Sequence, residues 1–338
     1  MTVDDFDYLL PPELIAQEAV EPRDHSRLLH LDPSTGEIEH LRFYELPRLL
    51  RPDDLLVLND TRVTARRLEA VKTPTGARIE VVLTKRLDES RFIALCKPAR
   101  RLKPKVSLLI EDRFEAEVLE ALPDGTRILN VRNPDGIESA GQAPLPPYFH
   151  GQLPSEERYQ TVYATTPGSA AAPTAGLHFT SRLLNEIRAA GIGIAFVSLE
   201  IGLDTFRPIS TERIQDHKMH GETFCVPHET ADAIAAATGR IIAVGTTATR
   251  TLETAAIAHR RVQPGSGVSE LFIAPGYRFR VVDGLITNFH MPRTTMLLLV
   301  SALAGVENLK KAYREAVQQR YRFLSLGDSM LVLRRENP

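Results

Sequence analysis

The constraint from which the rest follows is the run at residues 55–58, LLVL. Consecutive apolar residues of this kind read as a strand buried on both faces, and such a strand needs a sheet to join. The segment immediately after it, residues 64–147, is of a different character. It carries short β-like runs at 78–83 (RIEVVL), 91–95 (RFIAL), 106–110 and 114–119, punctuated by turn signals at Thr75-Gly76, Asp88-Glu89-Ser90, Asp124-Gly125 and Pro134-Asp135-Gly136. Short strands at that spacing predict a small all-β, barrel-like module. It leaves through Pro144-Leu145-Pro146-Pro147, a stiff, non-helical exit. Beyond about residue 150, helix and strand patterns alternate. The strand at 55–58 therefore has to pair with that distant region. The expected architecture is an α/β (mixed α+β) core made of residues 1–63 and 148–338, interrupted by an inserted small all-β, barrel-like domain at 64–147.

Within the core, Thr180 is placed to cap a helix running to Ala190, with Leu183, Leu184 and Ile187 on one face and Gly191 just past its end. Strands are expected at 194–201 and 241–245, and helices at 230–238, 247–259, 294–303 and 308–320. Residues 279–282 and 285–288 flank Asp283-Gly284, which predicts a hairpin with a type I′ turn.

Composition narrows the function classes. With 41 basic and 43 acidic residues among 338, the net charge of −2 gives no global sign of a polyanionic partner. Any nucleic-acid contact must be local. The one basic cluster is Lys97, Arg100, Arg101, Lys103 and Lys105, five cations in nine residues with no acid among them. It is a candidate for phosphate-backbone contact, or an ordinary solvated loop. Two cysteines, Cys96 and Cys225, are too few for a disulfide framework or a Cys-rich metal site and fit a reducing compartment. The opening MTVDDFDYLL has no basic region of a signal peptide, and the most apolar stretch, 295–305, is about half a membrane span. A cytoplasmic protein is expected.

The familiar cofactor fingerprints are missing: no P-loop, no G-x-G-x-x-G after a strand, no H-E-x-x-H and no G-x-S-x-G. Four segments instead place polar groups at the ends of apolar runs, where open α/β sheets bind ligands. The first holds Asn59, Asp60 and Arg62. The second, at 167–179, is rich in small residues that let a ligand approach the backbone, and it contains Pro173, Thr174, Ala175, Gly176, His178 and Phe179 just before the Thr180 helix. The third holds Thr246 and Thr247 as candidate caps, with Arg250 and Glu253 one turn apart on the new helix, a plausible anion cradle or a plain ion pair. The fourth holds Asn288, His290 and Arg293. Between the second and third lie Arg207, Asp216, His217, His220 and Glu222. Their spacing matches no standard zinc motif, so substrate or acid–base contacts are expected and a metal is not.

Taken together these segments resemble the S-adenosylmethionine:tRNA ribosyltransferase-isomerases of queuosine biosynthesis. The resemblance runs through DFDYLLPPELIAQ at 5–17, RDHSRLL at 23–29, LNDTRV at 58–63, AAPTAGLHF at 171–179, GTTATRTLE at 245–253, LITNFHMPRTTMLLLVSALAG at 285–305 and YRFLSLGDSML at 321–331, nearly the whole chain. It implies a monomeric enzyme that uses neither metal nor cofactor and consumes S-adenosylmethionine as a substrate. The ribosyl group would move to 7-aminomethyl-7-deazaguanine at the wobble position of tRNA, giving epoxyqueuosine with loss of adenine and methionine. Such a reaction needs a base for a proton beside the sulfonium, for which His178 and His290 are candidates. Asn288, Asp60 or Arg62 would face the leaving adenine, and Thr246-Thr247 or the turn after Gly176 the methionine carboxylate. Phe179, Tyr277 or Phe289 would face the sulfonium. The basic cluster on the β module would grip the tRNA. The chain departs from the family pattern at Glu200, where a His is usual, and at Asp204, where a Gly is usual. That leaves a non-catalytic or altered-substrate tRNA- or nucleoside-binding relative as the alternative.

Overall fold

The computed structural model describes residues 1–202, 209, 211–219 and 221–334. The chain divides into two compact units. One comprises Met1–Thr61, Pro146–Thr165 and Pro173–Pro338; the other comprises Arg62–Leu145 and Thr166–Ala172.

The first unit is built on a nine-stranded sheet. Its spatial order is Gly265–Ser269, Glu222–Val226, Gly193–Leu199, Leu55–Asn59, Ile241–Val244, Gly284–Asn288, Ser329–Val332, Arg27–Leu31 and Ile38–Arg42. The Leu55–Asn59 strand, all five residues buried, lies in the middle with parallel partners on both sides. Successive side chains of a strand point to opposite faces, and the central strands are apolar on both. Leu56, Leu58, Ile286 and Leu331 pack on one face with Leu183, Leu184 and Ile187 of the Ser181–Ala189 helix. Leu285, Met330 and Val332 pack on the other with Leu297, Leu298, Leu309 and Tyr313 of the Thr295–Ala304 and Val306–Gln318 helices. Each such aliphatic side chain stabilises the fold by roughly 1.5–3 kcal/mol. The helix ends follow their chemistry: Thr180 and Thr294 accept from the amides of Leu183 and Leu297.

The second unit contains a closed antiparallel barrel of six strands in the order Arg127–Val131, Arg91–Lys97, Ala77–Arg86, Arg66–Thr73, Ser107–Ile110 and Phe114–Ala121. Closure removes the exposed sheet edges. Alternate residues such as Leu68, Ile79, Val81, Phe92, Val118 and Leu129 fill it. Cys96 also lies in this core, and burial pushes its thiol up to about 12.

Three expectations are corrected. There is no hairpin at 279–288. The Gly284–Asn288 strand pairs in parallel with Ile241–Val244, and the residues before it form no strand. Their amides are used otherwise: Arg280, Val281 and Val282 donate to the Glu253 carboxylate at 2.9–3.0 Å. The helix expected from 247 begins at Gly245, whose φ of +93° turns the chain from strand to helix, and neither Thr246 nor Thr247 caps it. The barrel has two strands beyond the four runs legible in its sequence, Arg66–Thr73 and Arg127–Val131. Both carry charged or polar outward positions that dilute the apolar signal. Among the described residues no helix is long and apolar enough to cross a membrane.

Candidate active site

Four parallel strands end on the same side of the large sheet. Leu55–Asn59 delivers Asn59 and Asp60, Gly193–Leu199 leads to Glu200, Ile241–Val244 leads to Gly245, and Gly284–Asn288 delivers Asn288 and, two residues on, His290. Ser329–Val332 runs antiparallel to its Gly284–Asn288 neighbour, and Arg27–Leu31 runs parallel to it. Their amino ends therefore lie on this side too, bringing Asp328 and Ser26.

Asn59 is wholly buried and ties these ends together. Its Oδ1 accepts from the amides of Thr61 and Leu199 at 3.1 Å each. Its Nδ2 donates to the Leu199 carbonyl and to Thr247 Oγ1, both at 3.2 Å. Asp60 accepts from Ser198 Oγ at 2.6 Å and from Thr165 Oγ1 at 3.0 Å. Glu200, at the position where the family pattern differs, joins the sheet through its amide, which donates to the Thr223 carbonyl at 2.9 Å.

The Thr174–His178 turn brings the small-residue segment over the sheet end. Gly176 is required there: a Cβ would stand 2.0 Å from the Tyr163 hydroxyl. His178 is buried and stacks on Phe43 with centroids 5.0 Å apart. Its Nε2 lies 3.1 Å from Asn288 Nδ2, and its Nδ1 lies 2.7 Å from Ser26 Oγ. Asn288 Oδ1 accepts from Thr174 Oγ1 at 3.0 Å, and its Nδ2 also donates to the Leu324 carbonyl. The amide nitrogen is thus a donor, His178 Nε2 is an acceptor, and the ring proton sits on Nδ1, donated to Ser26. Burial drives the His178 pKa down to about 3, and the nearby Arg158 and Arg322 charges act in the same direction.

His290 is held by its backbone. Its amide donates to the Tyr313 hydroxyl at 3.0 Å, and its carbonyl accepts from the Tyr8 hydroxyl. Nε2 lies 2.7 Å from Thr287 Oγ1, and Nδ1 has no hydrogen-bond partner among the described residues. Burial lowers its pKa to about 3 as well.

Other expected residues are engaged by the protein itself. Arg250 and Glu253 do not pair with each other. Arg250 is buried against Glu222 and donates to the Ser269 and Leu271 carbonyls. Glu253 accepts from three backbone amides and from the Tyr277 hydroxyl at 3.1 Å. Phe179 and Phe289 are core residues, the first edge-on to Phe43 and the second packed among Tyr313, Tyr321 and Phe323. His217 packs against Phe272 at 5.4 Å. Arg293 adopts φ +59° and pairs with Asp4 at 3.4 Å. Arg62 belongs to the second unit. Arg207, His220 and Asp204 lie outside the described residues.

On the barrel unit, Lys97, Arg100, Arg101, Lys103 and Lys105 are all exposed. The loop that carries them is fixed at its base by Arg127. This buried guanidinium donates to the Ala99, Leu102, Gly125 and Thr126 carbonyls at 2.8 Å each. Arg127 was not evident from sequence, because its partners are backbone groups that leave no motif. Arg23, Ser26, Phe43, Tyr8 and Arg158 were also missed as contributors.

Comparison with known proteins agrees with this geometry. A family model described as queuosine biosynthesis protein matches residues 3–332. An S-adenosylmethionine:tRNA ribosyltransferase-isomerase from Symbiobacterium thermophilum is 50% identical, covering 98% of this chain and 100% of the relative. A protein of the same name from Moorella thermoacetica is 49% identical over the same shares. A crystal structure of the S-adenosylmethionine tRNA ribosyltransferase from Thermotoga maritima, 38% identical, matches with a TM-score of 0.56 over 97% of this chain and 100% of that one.

Proposed function

We infer the function from one premise: the chain belongs to the family of queuosine biosynthesis proteins. It is an S-adenosylmethionine:tRNA ribosyltransferase-isomerase. In the reaction proposed here, the ribosyl part of S-adenosylmethionine is transferred to 7-aminomethyl-7-deazaguanine in tRNA and rearranged to epoxyqueuosine, while adenine and methionine leave. The observation that carries this reading is the convergence of His178, Asn288, Thr174 and His290 at the carboxyl ends of the parallel strands, in a chain that matches its relatives over its full length.

His290 is the base in this scheme. A base needs a ring nitrogen with a free lone pair. In His178 one nitrogen carries the proton to Ser26 and the other accepts from Asn288. His290 uses one nitrogen on Thr287 and keeps Nδ1 for a substrate proton, which the adjacent sulfonium makes acidic. Tyr8 and Tyr313 fix the backbone on either side of that ring. His178 then acts as a positioning residue, holding the Asn288 amide that the adenine would meet. Asn59 and Asp60 hold the strand ends in register beside it. The chemistry proposed uses no metal or cofactor, and the enzyme works as a cytoplasmic monomer.

The exposed basic loop supplies charge for the tRNA backbone. Neutralising Arg100, Arg101 and Lys103 together is expected to weaken tRNA binding and to make the plot of log affinity against log salt shallower by roughly 2–3, the counterions three cations would release. Filter binding across a salt series measures it, and an unchanged slope removes the loop from the interface. The reaction itself is tested by incubating the protein with S-adenosylmethionine and tRNA carrying the aminomethyl-deazaguanine base, then analysing the digested nucleosides by mass spectrometry. Epoxyqueuosine with free adenine and methionine is expected. A methylated nucleoside, or binding without product, would overturn it.

A further inference from the structure

A cleft of about 220 Å³ opens beside His178, on the side away from the sheet strands that deliver Asn288, and is lined by Arg23, Ser26, Arg158, Ser325 and Gly327. Arg158 is nine-tenths buried. Its Nε pairs with Glu21 and its Nη2 donates to the Val20 carbonyl at 3.1 Å, but its buried Nη1 has no partner. A guanidinium N–H left unsatisfied in the interior is costly and rare, and it calls for an acceptor that the protein itself does not provide. Ser26 adds a second open donor: its oxygen accepts from His178, so its own proton is free to point elsewhere. Arg23 donates only to the Gln160 and Glu157 carbonyls, at 2.6 and 3.3 Å. Two guanidiniums thus face one cleft, and the Glu21 carboxylate that offsets them belongs to a side chain 60% exposed to solvent. Their mutual repulsion registers on Arg23, whose basicity is lowered first by burial and then by Arg158.

We propose that this cleft is an oxyanion subsite of the active site, in which Arg158 and Arg23 hold a carboxylate or phosphate group of a substrate beside His178. The assignment rests on the reading that the chain binds S-adenosylmethionine and tRNA. Two groups have the required chemistry: the methionyl carboxylate of the first and a backbone phosphate of the second. Both are planar or tetrahedral oxyanions that a guanidinium recognises through charge-assisted hydrogen bonds. The subsite complements the small-residue turn at 173–176, which offers backbone groups but no cation.

The test uses the full-length enzyme and its Arg158→Gln, Arg158→Lys and Arg23→Gln variants. S-adenosylmethionine binding is measured by calorimetry, tRNA binding by filter retention at several salt concentrations, and turnover with each substrate varied in turn. Loss of one charge-assisted contact is expected to weaken one substrate by about ten- to hundredfold while the other stays within about twofold. Weakening confined to S-adenosylmethionine, and absent for its decarboxylated analogue, identifies the carboxylate as occupant. Weakening confined to tRNA, with a salt slope reduced by about one, identifies a phosphate. Arg158→Lys should restore part of the loss in either case. Equal affinities in all variants, or equal losses for both substrates, overturn the subsite. Arg23→Gln, at a half-buried position, supplies the answer should Arg158→Gln fail to fold. A wild-type protein that binds neither substrate would overturn the underlying function instead.

Discussion

Replacing His290 by alanine is expected to lower turnover by roughly 10²–10⁴-fold, the range a positioned general base contributes. The affinity for S-adenosylmethionine should change little, because the ring's one protein partner is Thr287 and its backbone stays clamped by Tyr8 and Tyr313. Single-turnover rates measured beside equilibrium binding separate the two. The same assignment predicts an unusual pH profile. An ordinary histidine base loses activity as pH falls through about 6.5, whereas the buried His290, with its pKa lowered to about 3, remains neutral. The kcat/KM for S-adenosylmethionine should therefore stay flat from pH 8 to about pH 5, so far as tRNA and fold remain intact. A limb near 6.5 that persists in His178→Asn would refute the assignment, as would near-normal turnover of His290→Ala.

The second large effect concerns stability in mild acid. His178 and His290 are both buried and both neutral, with pKa values near 3 in the folded chain. In the unfolded chain they take up a proton near the ordinary value of about 6.5. The folded state binds fewer protons, so stability is full above that value and falls as pH decreases toward the folded pKa. Each histidine contributes a slope of about 1.4 kcal/mol per pH unit, hence about 2.7 kcal/mol per unit for the pair between roughly pH 6 and pH 4. Denaturant unfolding at pH 7.5, 6 and 5 measures it, and His290→Gln should remove about half the slope. The carboxylates act lower. Burial alone would raise Asp54, but hydrogen bonds from Arg240 and from the amides of Arg240 and Arg51 outweigh it and hold the group below its usual 3.8. Its contribution is lost only beneath the histidine window. Stability unchanged down to pH 5 would mean that these imidazoles take up protons in the folded protein.

What sequence made legible here depended on whether the signal was local. The strand at 55–58 announced both its burial and its need for distant partners, because a continuous apolar run has few other resolutions. Thr180 and Thr294 showed their helix starts through capping chemistry. The polar strand ends at Asn59, His178 and Asn288 stood out because polar groups interrupt apolar runs there. What sequence hid was reciprocal. Nothing near Glu253 discloses that three amides some thirty residues later in the chain (Arg280, Val281 and Val282) will bond to it and cancel a hairpin. Arg250 and Glu253 were one turn apart and looked like partners, yet each found a stronger one elsewhere. Arg158 sits in a polar stretch without a motif, and only its unfilled bonding capacity in three dimensions singles it out.

The order of strands in the large sheet also governs how the chain can be made. Arg27–Leu31 has as its parallel neighbour Ser329–Val332, close to the last residue described, and Leu55–Asn59 lies between strands that begin at Gly193 and Ile241. During synthesis the first sixty residues leave the ribosome with no sheet to enter. The barrel strands, which neighbour one another closely along the chain, can pair long before the core is complete. The early segment must then remain unpaired and uncommitted until translation is nearly finished. A ribosome stalled shortly before Ser329 would accordingly display a formed barrel and an amino-terminal segment still open to chaperones and proteases.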